Sequence, residues 1–396
     1  MKKFLAVLLT LAMALFVVAC GPSNDSGSSS GSSASPQSDT SDGASPDSSA
    51  SSGNSHGQVS WADGEIPIAL ITDYGTIDEE SFNQGSWEGV LRYADANNIP
   101  RQYIQPVEVS TAAYIDSIEL AISAGAQIVV TPGFLFMEAI YEAQSLWPDV
   151  KFVLLDAVPA PEDGDAHAAG NTVAVLYAEE QSGFLAGYAA VMDGHRNLGY
   201  IGGVAVPSVV KFGHGFVEGA EYAASELGLA PGDITVRFTY AGTFAQRPEE
   251  QTMAASWYAD GVEIIFVAGG RVNLAIFAAA DASPDGLVIG VDVDQGHHSP
   301  RIITSAMKDL RSSVANVLAD FFAGRFPGGQ IKTFDAAIDG IGLPDDFSRF
   351  SVFTKSMYDD VFAQLVSGAI SVSDDVSNPN PVPILNPQLV SVTYIG

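Results

Sequence analysis

From residue 66 onward, short apolar runs alternate with segments of helical periodicity. The runs of strand length are residues 66–72, 102–107, 127–130, 152–155, 172–176, 198–201, 234–240, 263–267, 287–291 and 302–304. The segments with helical periodicity are residues 85–96, 115–123, 136–146, 180–192, 212–227, 250–259, 273–280 and 310–322. Strands and helices that alternate in this way form parallel sheets covered by helices on both faces, so the pattern predicts an α/β fold. This part of the chain has about 330 residues, more than one core usually serves, and we expect two lobes.

Polar residues or glycines follow several of the predicted strands. They are Asp73, Gly133, Asp156, the pair Gly269-Gly270, and Asp292. Ligands of open α/β sheets bind at the carboxyl ends of the strands, so these positions are candidates for a binding cleft. An aspartate after a strand can also simply cap the next helix, and this alternative stays open for each of them.

The segment of residues 77–84 predicts the start of a helix beside the first strand. Ser81 and Gln84 have the spacing of a capping box. The apolar stripe of this helix is Trp87, Val90, Leu91 and Ala94. Phe82 lies about 130° from the middle of that stripe at 100° per residue, so its ring is placed to stack on something in the cleft. The alternative is a ring buried under the preceding loop.

The first 19 residues have the pattern of an export signal. Lys2 and Lys3 precede an apolar run from Phe4 to Ala19, which is shorter than the ~20 residues that span a bilayer as a helix. The small residues before Cys20 resemble a bacterial lipobox, so we expect a signal peptide over 1–19 and a lipidated Cys20. Ordinary cleavage near Ala19 with a free thiol is the alternative.

Residues 20–60 are mostly Ser, Gly, Asp, Pro and Ala. A segment of this composition cannot bury apolar surface, so we interpret it as a lipid-anchored, disordered tether. Cys20 is the only cysteine, which excludes structural disulfides and cysteine-based zinc sites.

The charge of the chain excludes one class of partner. A formal net charge of −30 repels nucleic acid, whose binding depends on Lys and Arg displacing phosphate counterions. The folded part also lacks the P-loop, the HExxH motif and the GxGxxG motif, so we expect neither an enzyme nor a cofactor. His297 and His298 are adjacent, but two histidines without a third ligand more often lie in a solvated loop, and we expect no metal.

Five stretches of the sequence carry a resemblance to a known family. They are DYGTIDEESFNQGSWEGV, GYIGGVAVPSVVKFGHGFVEGA, YAGTFAQ, GVDVDQ and ITSAMK, between about residues 68 and 318. In this order they resemble the basic membrane lipoproteins, the purine nucleoside receptor type of substrate-binding protein of ABC importers. The resemblance implies a type I periplasmic-binding-protein fold, with two Rossmann-like lobes joined by a crossover hinge. Over residues 61–396, we expect lobe 1 at about 65–175 plus 296–325 and lobe 2 at about 176–295 plus 326–396.

The resemblance also implies how a nucleoside base is held. In that family the base lies between two aromatic rings, which would be Phe82 and Phe244 here, and Phe212 is the alternative to Phe244. Asn83 and Asp156 would bind the edge of the base. Rings supply affinity for any base, while amide and carboxylate groups supply selection.

The resemblance implies that Asp292 and Lys308 bind the ribose hydroxyls and that Gly270 lets the backbone approach the ligand. Asp73 and Asp78 are further candidates at the end of the first strand. The chain departs from the family at two places: Ala113 stands before Tyr114 where the family often has Asp, and Gln246 stands where it has an acid.

By this resemblance, the chain is a monomeric, membrane-anchored binding protein on the extracytoplasmic side that delivers a nucleoside to an ABC-transporter permease. Two other functions remain open. A sugar-binding protein of the same fold uses aromatic and acidic residues similarly, and a surface adhesin would show a large exposed apolar patch.

Overall fold

The computed structural model describes residues 64–396. The predicted signal peptide over 1–19, Cys20 and the predicted tether over 20–60 lie outside the described residues.

The described part of the chain contains thirteen strands. They are β1 (Ile68–Ile71), β2 (Arg101–Ile104), β3 (Ile128–Pro132), β4 (Lys151–Leu155), β5 (Thr172–Tyr177), β6 (Asn197–Gly202), β7 (Ile234–Tyr240), β8 (Ile264–Ala268), β9 (Leu287–Asp292), β10 (Ile302–Lys308), β11 (Ile331–Phe334), β12 (Ile341–Gly342) and β13 (Val390–Ile395).

Ten α-helices accompany these strands within residues 64–396. They are α1 (Phe82–Asn97), α2 (Thr111–Ser123), α3 (Met137–Leu146), α4 (Glu179–Met192), α5 (Pro207–Glu226), α6 (Pro248–Ala259), α7 (Val272–Ala282), α8 (Leu310–Phe322), α9 (Lys355–Val366) and α10 (Pro381–Leu385). Short 3₁₀ turns occupy Phe134–Phe136 and Ala336–Ile338.

The strands form two sheets. The first has the order β11-β5-β4-β3-β1-β2, and all its pairs are parallel. The second has the order β12-β10-β9-β8-β6-β7-β13, and only the short β12 pairs antiparallel, with β10. The predicted α/β fold with parallel sheets in two lobes is confirmed.

Both faces of the central strands are buried. In β3, Ile128 and Val130 belong to one hydrophobic cluster and Val129 to another on the opposite face. Because successive strand residues point to opposite faces, a strand covered on both sides needs a continuous apolar run. This is why the predicted strands up to residue 304 and the predicted helices up to residue 322 correspond to β1–β10 and α1–α8.

Helix α1 begins at Phe82, close to the predicted start, but its packing differs in part from the predicted stripe. Val90 and Ala94 are fully buried, whereas Trp87 and Leu91 are only partly buried. The helix is closely packed at Gly89, where an added Cβ would lie 2.9 Å from the carbonyl oxygen of Arg311. Helix α8 therefore packs directly on α1 and belongs to the first lobe.

The chain passes between the two sheets three times: between β5 and β6, between β10 and β11, and between β11 and β12. Our predicted division put residues 296–325 in lobe 1 and 326–396 in lobe 2, which is wrong for β10 and β11. β10 pairs with β9 in the second sheet and β11 pairs with β5 in the first. After β9 the chain returns to the second sheet as β10, so it crosses to the first lobe only after Lys308.

The first lobe therefore comprises residues 64–177 and about 310–334. The second lobe comprises about 178–309 and 335–396. Helix α4 belongs to the second lobe because it packs closely on α5. A Cβ added at Gly187 of α4 would lie only 2.0 Å from the carbonyl oxygen of Phe216 in α5. Among residues 64–396, no helix has both the length and the apolar content to cross a membrane.

Candidate functional site

A cavity lies where the carboxyl ends of the strands of both lobes face each other. Nine of the ten ligand-binding residues proposed from the sequence line it, and they are Asp73, Phe82, Asn83, Asp156, Phe212, Phe244, Gly270, Asp292 and Lys308. Strand ends position Asp73, Asp156, Asp292 and Lys308, while the first turn of α1 presents Phe82 and Asn83. Residues far apart in the sequence thus converge on one site.

Asp78 is the exception among the predicted site residues. It does not line the cavity; its side chain is exposed and accepts a hydrogen bond from the Thr76 hydroxyl. The loop before α1 turns Asp78 outward and its neighbour Glu79 inward, so the prediction for Asp78 is wrong.

Lys308 is the cationic side chain at the centre of the site. Its Nζ lies 2.6 Å from Asp156 Oδ2, 3.1 Å from Glu179 Oε1 and 3.8 Å from Asp292 Oδ1. The Nζ is also 4.8 Å from the ring centroid of Phe82 and 5.3 Å from that of Phe212, within the range of cation–π attraction. Burial disfavours the charged amine, but these carboxylates outweigh it and raise the pKa of Lys308.

Asp156 follows β4 in the left-handed region, with φ at 63°. One of its oxygens binds Lys308, while the other, Oδ1, is buried without a hydrogen-bond partner among residues 64–396. Burial raises the pKa of Asp156 to about 7, although the charge of Lys308 opposes this shift. An unpaired buried acceptor is costly, so Oδ1 is placed to accept a hydrogen bond from a ligand.

Asp292 ends β9 with φ at 65° and joins the two lobes. Ser81 Oγ donates a hydrogen bond of 2.6 Å to Asp292 Oδ2. Ser81 is the N-cap residue of α1, but its side chain makes no capping bond. The capping box predicted from Ser81 and Gln84 is therefore wrong, because the Ser81 hydroxyl donates to Asp292 of the second lobe instead of capping α1. Burial raises the pKa of Asp292.

Asp73, Glu79 and Asn83 form a buried polar network. Asn83 Nδ2 donates to Asp73 Oδ1 and to Glu79 Oε1, each at 2.8 Å. The Asn83 backbone N–H also donates to Glu79 Oε1 at 2.5 Å, so Glu79 takes the place of a capping side chain. Burial raises the pKa of Asp73, and burial together with the charge of Asp73 raises that of Glu79 to about 8.

Four phenylalanines line the cavity, and the three proposed from the sequence lie in different environments. Phe82 is partly buried on the first turn of α1, and Phe244 is partly buried in the loop after β7. Phe244 packs over Gly203 and meets Tyr74 of the first lobe at an angle, 6.4 Å between ring centroids. Phe212 is only 2% exposed and packs edge-on against Phe266, so it is also part of the core of the second lobe.

The alternative account of the three aspartates as helix caps is not supported. Asp156 accepts a hydrogen bond from Lys308, and Asp292 accepts one from Ser81. Asp73 accepts from the Asn83 amide group and from the Gly75 backbone N–H. No helix in the described part of the chain has one of these residues as its N-cap.

Comparison with known proteins identifies the family. The model of the family Bmp, described as ABC transporter substrate-binding protein PnrA-like, matches residues 66–375. The chain belongs to the Bmp family. It is 27% identical over 328 residues to the "ABC transporter nucleoside-binding protein BmpA" of Lactococcus lactis subsp. cremoris, covering 78% of this chain and 89% of that protein. It is 30% identical over 317 residues to Basic membrane protein A1 of Borrelia garinii subsp. bavariensis, with the same coverage.

Solved structures show the same fold as this Bmp family member. An ABC transporter solute-binding protein of Aeropyrum pernix superposes with a TM-score of 0.70 at 20% identity, over 81% of this chain and 96% of that one. One from Conexibacter woesei gives a TM-score of 0.62 at 23% identity, over 78% of this chain and 99% of that one. The expected periplasmic-binding fold is confirmed, and membership of a family of substrate-binding proteins confirms that the chain is not an enzyme. It also implies a small-molecule ligand and a permease partner.

The two departures from the Bmp family pattern lie outside the cavity. Ala113 is 6% exposed and does not line the cavity. Gln246 is exposed and does not line the cavity. Neither position therefore contributes a side chain to the cavity wall.

The cavity of this Bmp family member is rich in hydrogen-bond acceptors. Asp73, Glu79, Asp156 and Asp292 surround it, and Lys308 is the cation among its lining residues. An anionic ligand such as a phosphate ester would be repelled, whereas a neutral ligand carrying hydroxyl and N–H donors fits these acceptors.

Sequence reasoning missed two acidic residues of the site, Glu79 in the cavity wall and Glu179 beside Lys308. Glu79 lies within the family-like segment between β1 and α1, but nothing in the sequence distinguishes it from the neighbouring acids Asp78 and Glu80. Glu179 begins α4, directly after the first crossing between the lobes. Its position beside a strand end was the available signal.

Proposed function

We propose that this Bmp family protein captures a nucleoside with a purine base in the cavity and delivers it to the permease of an ABC importer. The observation that carries the proposal is the composition of one cavity. Aromatic rings from both lobes, an amide and several buried carboxylates line it together. The name of the Lactococcus lactis relative, a nucleoside-binding protein, supports this ligand class.

In the proposed complex, the base lies between Phe82 of the first lobe and Phe244 of the second. Stacking on aromatic side chains contributes about 1–3 kcal/mol per base and accepts any base. Selection then comes from Asn83 and from Asp156, whose Oδ1 has no hydrogen-bond partner among residues 64–396. A purine offers N–H donors along its edge, which match this acceptor.

In the same complex, Asp292 and Lys308 hold the ribose. Asp292 Oδ2 already accepts from Ser81, which leaves Oδ1, 3.8 Å from Lys308 Nζ, to accept from a hydroxyl. A carboxylate that accepts from vicinal hydroxyls distinguishes ribose from its deoxy forms. Gly270, at φ 56°, has no side chain where the backbone meets the cavity.

We also propose that the chain is exported, anchored to the membrane through lipidated Cys20, and monomeric. The composition of residues 1–60 supports the export and the lipid anchor. A lipid at Cys20 would hold the binding domain near its permease.

A thermal-shift screen against nucleosides, free bases and sugars tests the class of ligand. A ligand present at 100 times its Kd raises the free energy of unfolding by about 2.7 kcal/mol. We expect purine nucleosides to raise the melting temperature most. Shifts with sugars alone would favour the sugar-binding function instead, and no shift with any of these compounds would favour the adhesin.

A further inference from the structure

A cluster of three potential metal ligands lies outside the cavity. It consists of Glu80, His297 and His298, which we call the His-Glu cluster, and its ligand atoms lie within 4.8 Å of one another. His297 Nε2 is 3.4 Å from Glu80 Oε2, and His298 Nε2 contacts the same oxygen. None of the three lines the cavity.

The sequence predicted no metal here because it showed two adjacent histidines without a third ligand. The structure supplies the third ligand from the other lobe. Glu80 precedes α1 in the first lobe, whereas His297 and His298 lie between β9 and β10 of the second. The distance along the chain hid this juxtaposition.

The chemistry and spacing of the cluster suit a transition-metal ion. Two histidines and a glutamate with an open position for water are a known ligand set of zinc, with bonds of about 2.0–2.2 Å. Tetrahedral bonds of that length place two ligand atoms roughly 3.3 Å apart. The observed 3.4 Å between His297 Nε2 and Glu80 Oε2 agrees with this separation.

The backbone holds these ligands in place without a metal. Glu80 adopts φ 62°, and its carbonyl oxygen accepts a hydrogen bond of 2.8 Å from Gln295 Nε2 of the second lobe. Gln295 is itself buried and bound to the Val291 amide. Glu80 Oε2 and His298 Nε2 are buried and have no hydrogen-bond partner among residues 64–396, although they contact each other.

We propose that Glu80, His297 and His298 form a binding site for a divalent transition-metal ion such as Zn²⁺, which bridges the two lobes. The side chain of His297 is 63% exposed, so the site is open to ions from solvent. A bridging ion stabilises the arrangement in which the lobes meet. Because coupling between sites is reciprocal, Zn²⁺ then strengthens ligand binding in the cavity, and the ligand strengthens Zn²⁺ binding by the same factor.

Calorimetric titration of the chelator-treated full chain with Zn²⁺ alone tests the site. We expect one ion to bind per chain, and binding at least tenfold weaker in His297→Ala and in Glu80→Gln. The exposed His167→Ala is the matched control and retains the wild-type affinity. Mg²⁺ prefers oxygen ligands, so an excess of Mg²⁺ should not displace the bound Zn²⁺.

The proposal is overturned if both variants bind Zn²⁺ like the wild type, because the ion would then sit elsewhere on the acidic surface. It is also overturned if the wild type binds no Zn²⁺. Since this titration contains no nucleoside, its outcome is independent of the proposed function. If Zn²⁺ binds at the cluster but small-angle scattering shows no compaction of the chain, the bridging role is wrong.

Discussion

Lys308 Nζ, at the end of β10 in the second lobe, lies 2.6 Å from Asp156 Oδ2, at the end of β4 in the first. The ammonium group is also within 3.1 Å of Glu179 and 3.8 Å of Asp292, so one cation serves three buried carboxylates. A buried charge that loses its partner is strongly destabilising. The stability of the described conformation and the chemistry of the cavity therefore depend on the same side chain.

Replacing Lys308 by Met should reduce the free energy of unfolding by about 3–5 kcal/mol, because the buried carboxylates lose their counter-charge. Urea unfolding measures this loss. Lys355→Met, which removes an exposed ion pair with Asp359, is the control and should cost less than about 1 kcal/mol. Adding Asp156→Asn to Lys308→Met should restore part of the loss, since the two residues are in contact. Equal losses for Lys308→Met and Lys355→Met would contradict the central role of Lys308.

Replacing Phe82 by Ala should weaken nucleoside binding by about 1–3 kcal/mol, because the ring would stack on the base. Phe212→Ala provides the contrast: its ring is only 2% exposed, so stability should fall by about 3–5 kcal/mol. Calorimetric titration and melting curves on the same preparations separate the two effects. Unchanged affinity and a lower melting temperature for Phe82→Ala would assign this ring to the core.

Glu79→Gln should change how stability depends on pH. The pKa of Glu79 is raised to about 8 in the folded protein, so the carboxyl keeps a proton that the unfolded chain releases above its ordinary pKa of about 4.3. The stabilisation from this proton is complete below the unfolded pKa and is lost as the pH rises toward 8, by at most about 1.4 kcal/mol per pH unit.

Gln imitates the protonated acid and keeps the oxygen that accepts from Asn83. The variant should match the wild type near pH 5 and be more stable above pH 8, as measured by urea unfolding across this range. Glu119→Gln, at an exposed position, should follow the wild-type curve. If the free energy of unfolding of Glu79→Gln falls with rising pH as steeply as that of the wild type, Glu79 does not hold the proton.

Cys20→Ser should prevent lipidation and leave the folded domain able to bind its ligand, because Cys20 and the tether provide only the anchor. Partitioning of the two forms between water and a detergent phase measures this. A variant that still enters the detergent phase would contradict the lipoprotein proposal.

Much of the fold could be predicted because its central strands are buried on both faces. In β3, Val129 and Val130 point to opposite cores, and such strands form continuous apolar runs.

The edge strands are different. β11 is exposed at alternate positions and contains Lys332 and Thr333, so it lacks an apolar run. In β13 the alternation of Val390, Val392 and Tyr394 with Ser391 and Thr393 was a usable signal of a half-buried strand.

The cavity residues could be predicted where a strand end fixes the position, as for Asp156 and Asp292. The inward direction of Glu79 and the outward direction of Asp78 could not, because one turn of the loop before α1 decides both. The ligand set of the His-Glu cluster could not be predicted either, since Glu80 meets His298 only when the two lobes come together.

Calorimetric titration with matched ligands tests the proposed nucleoside site most directly. Adenosine or guanosine is compared with its free base and with its 2′,3′-dideoxynucleoside. A buried Asp292 without its hydroxyl partners is left with unmet acceptor capacity, at a cost of about 1–3 kcal/mol. We predict that the ribonucleoside binds roughly 5- to 150-fold more tightly than either matched compound, which corresponds to this energy range. Equal affinity for all three would contradict the ribose site at Asp292 and Lys308, and binding of none of them would contradict the nucleoside function itself.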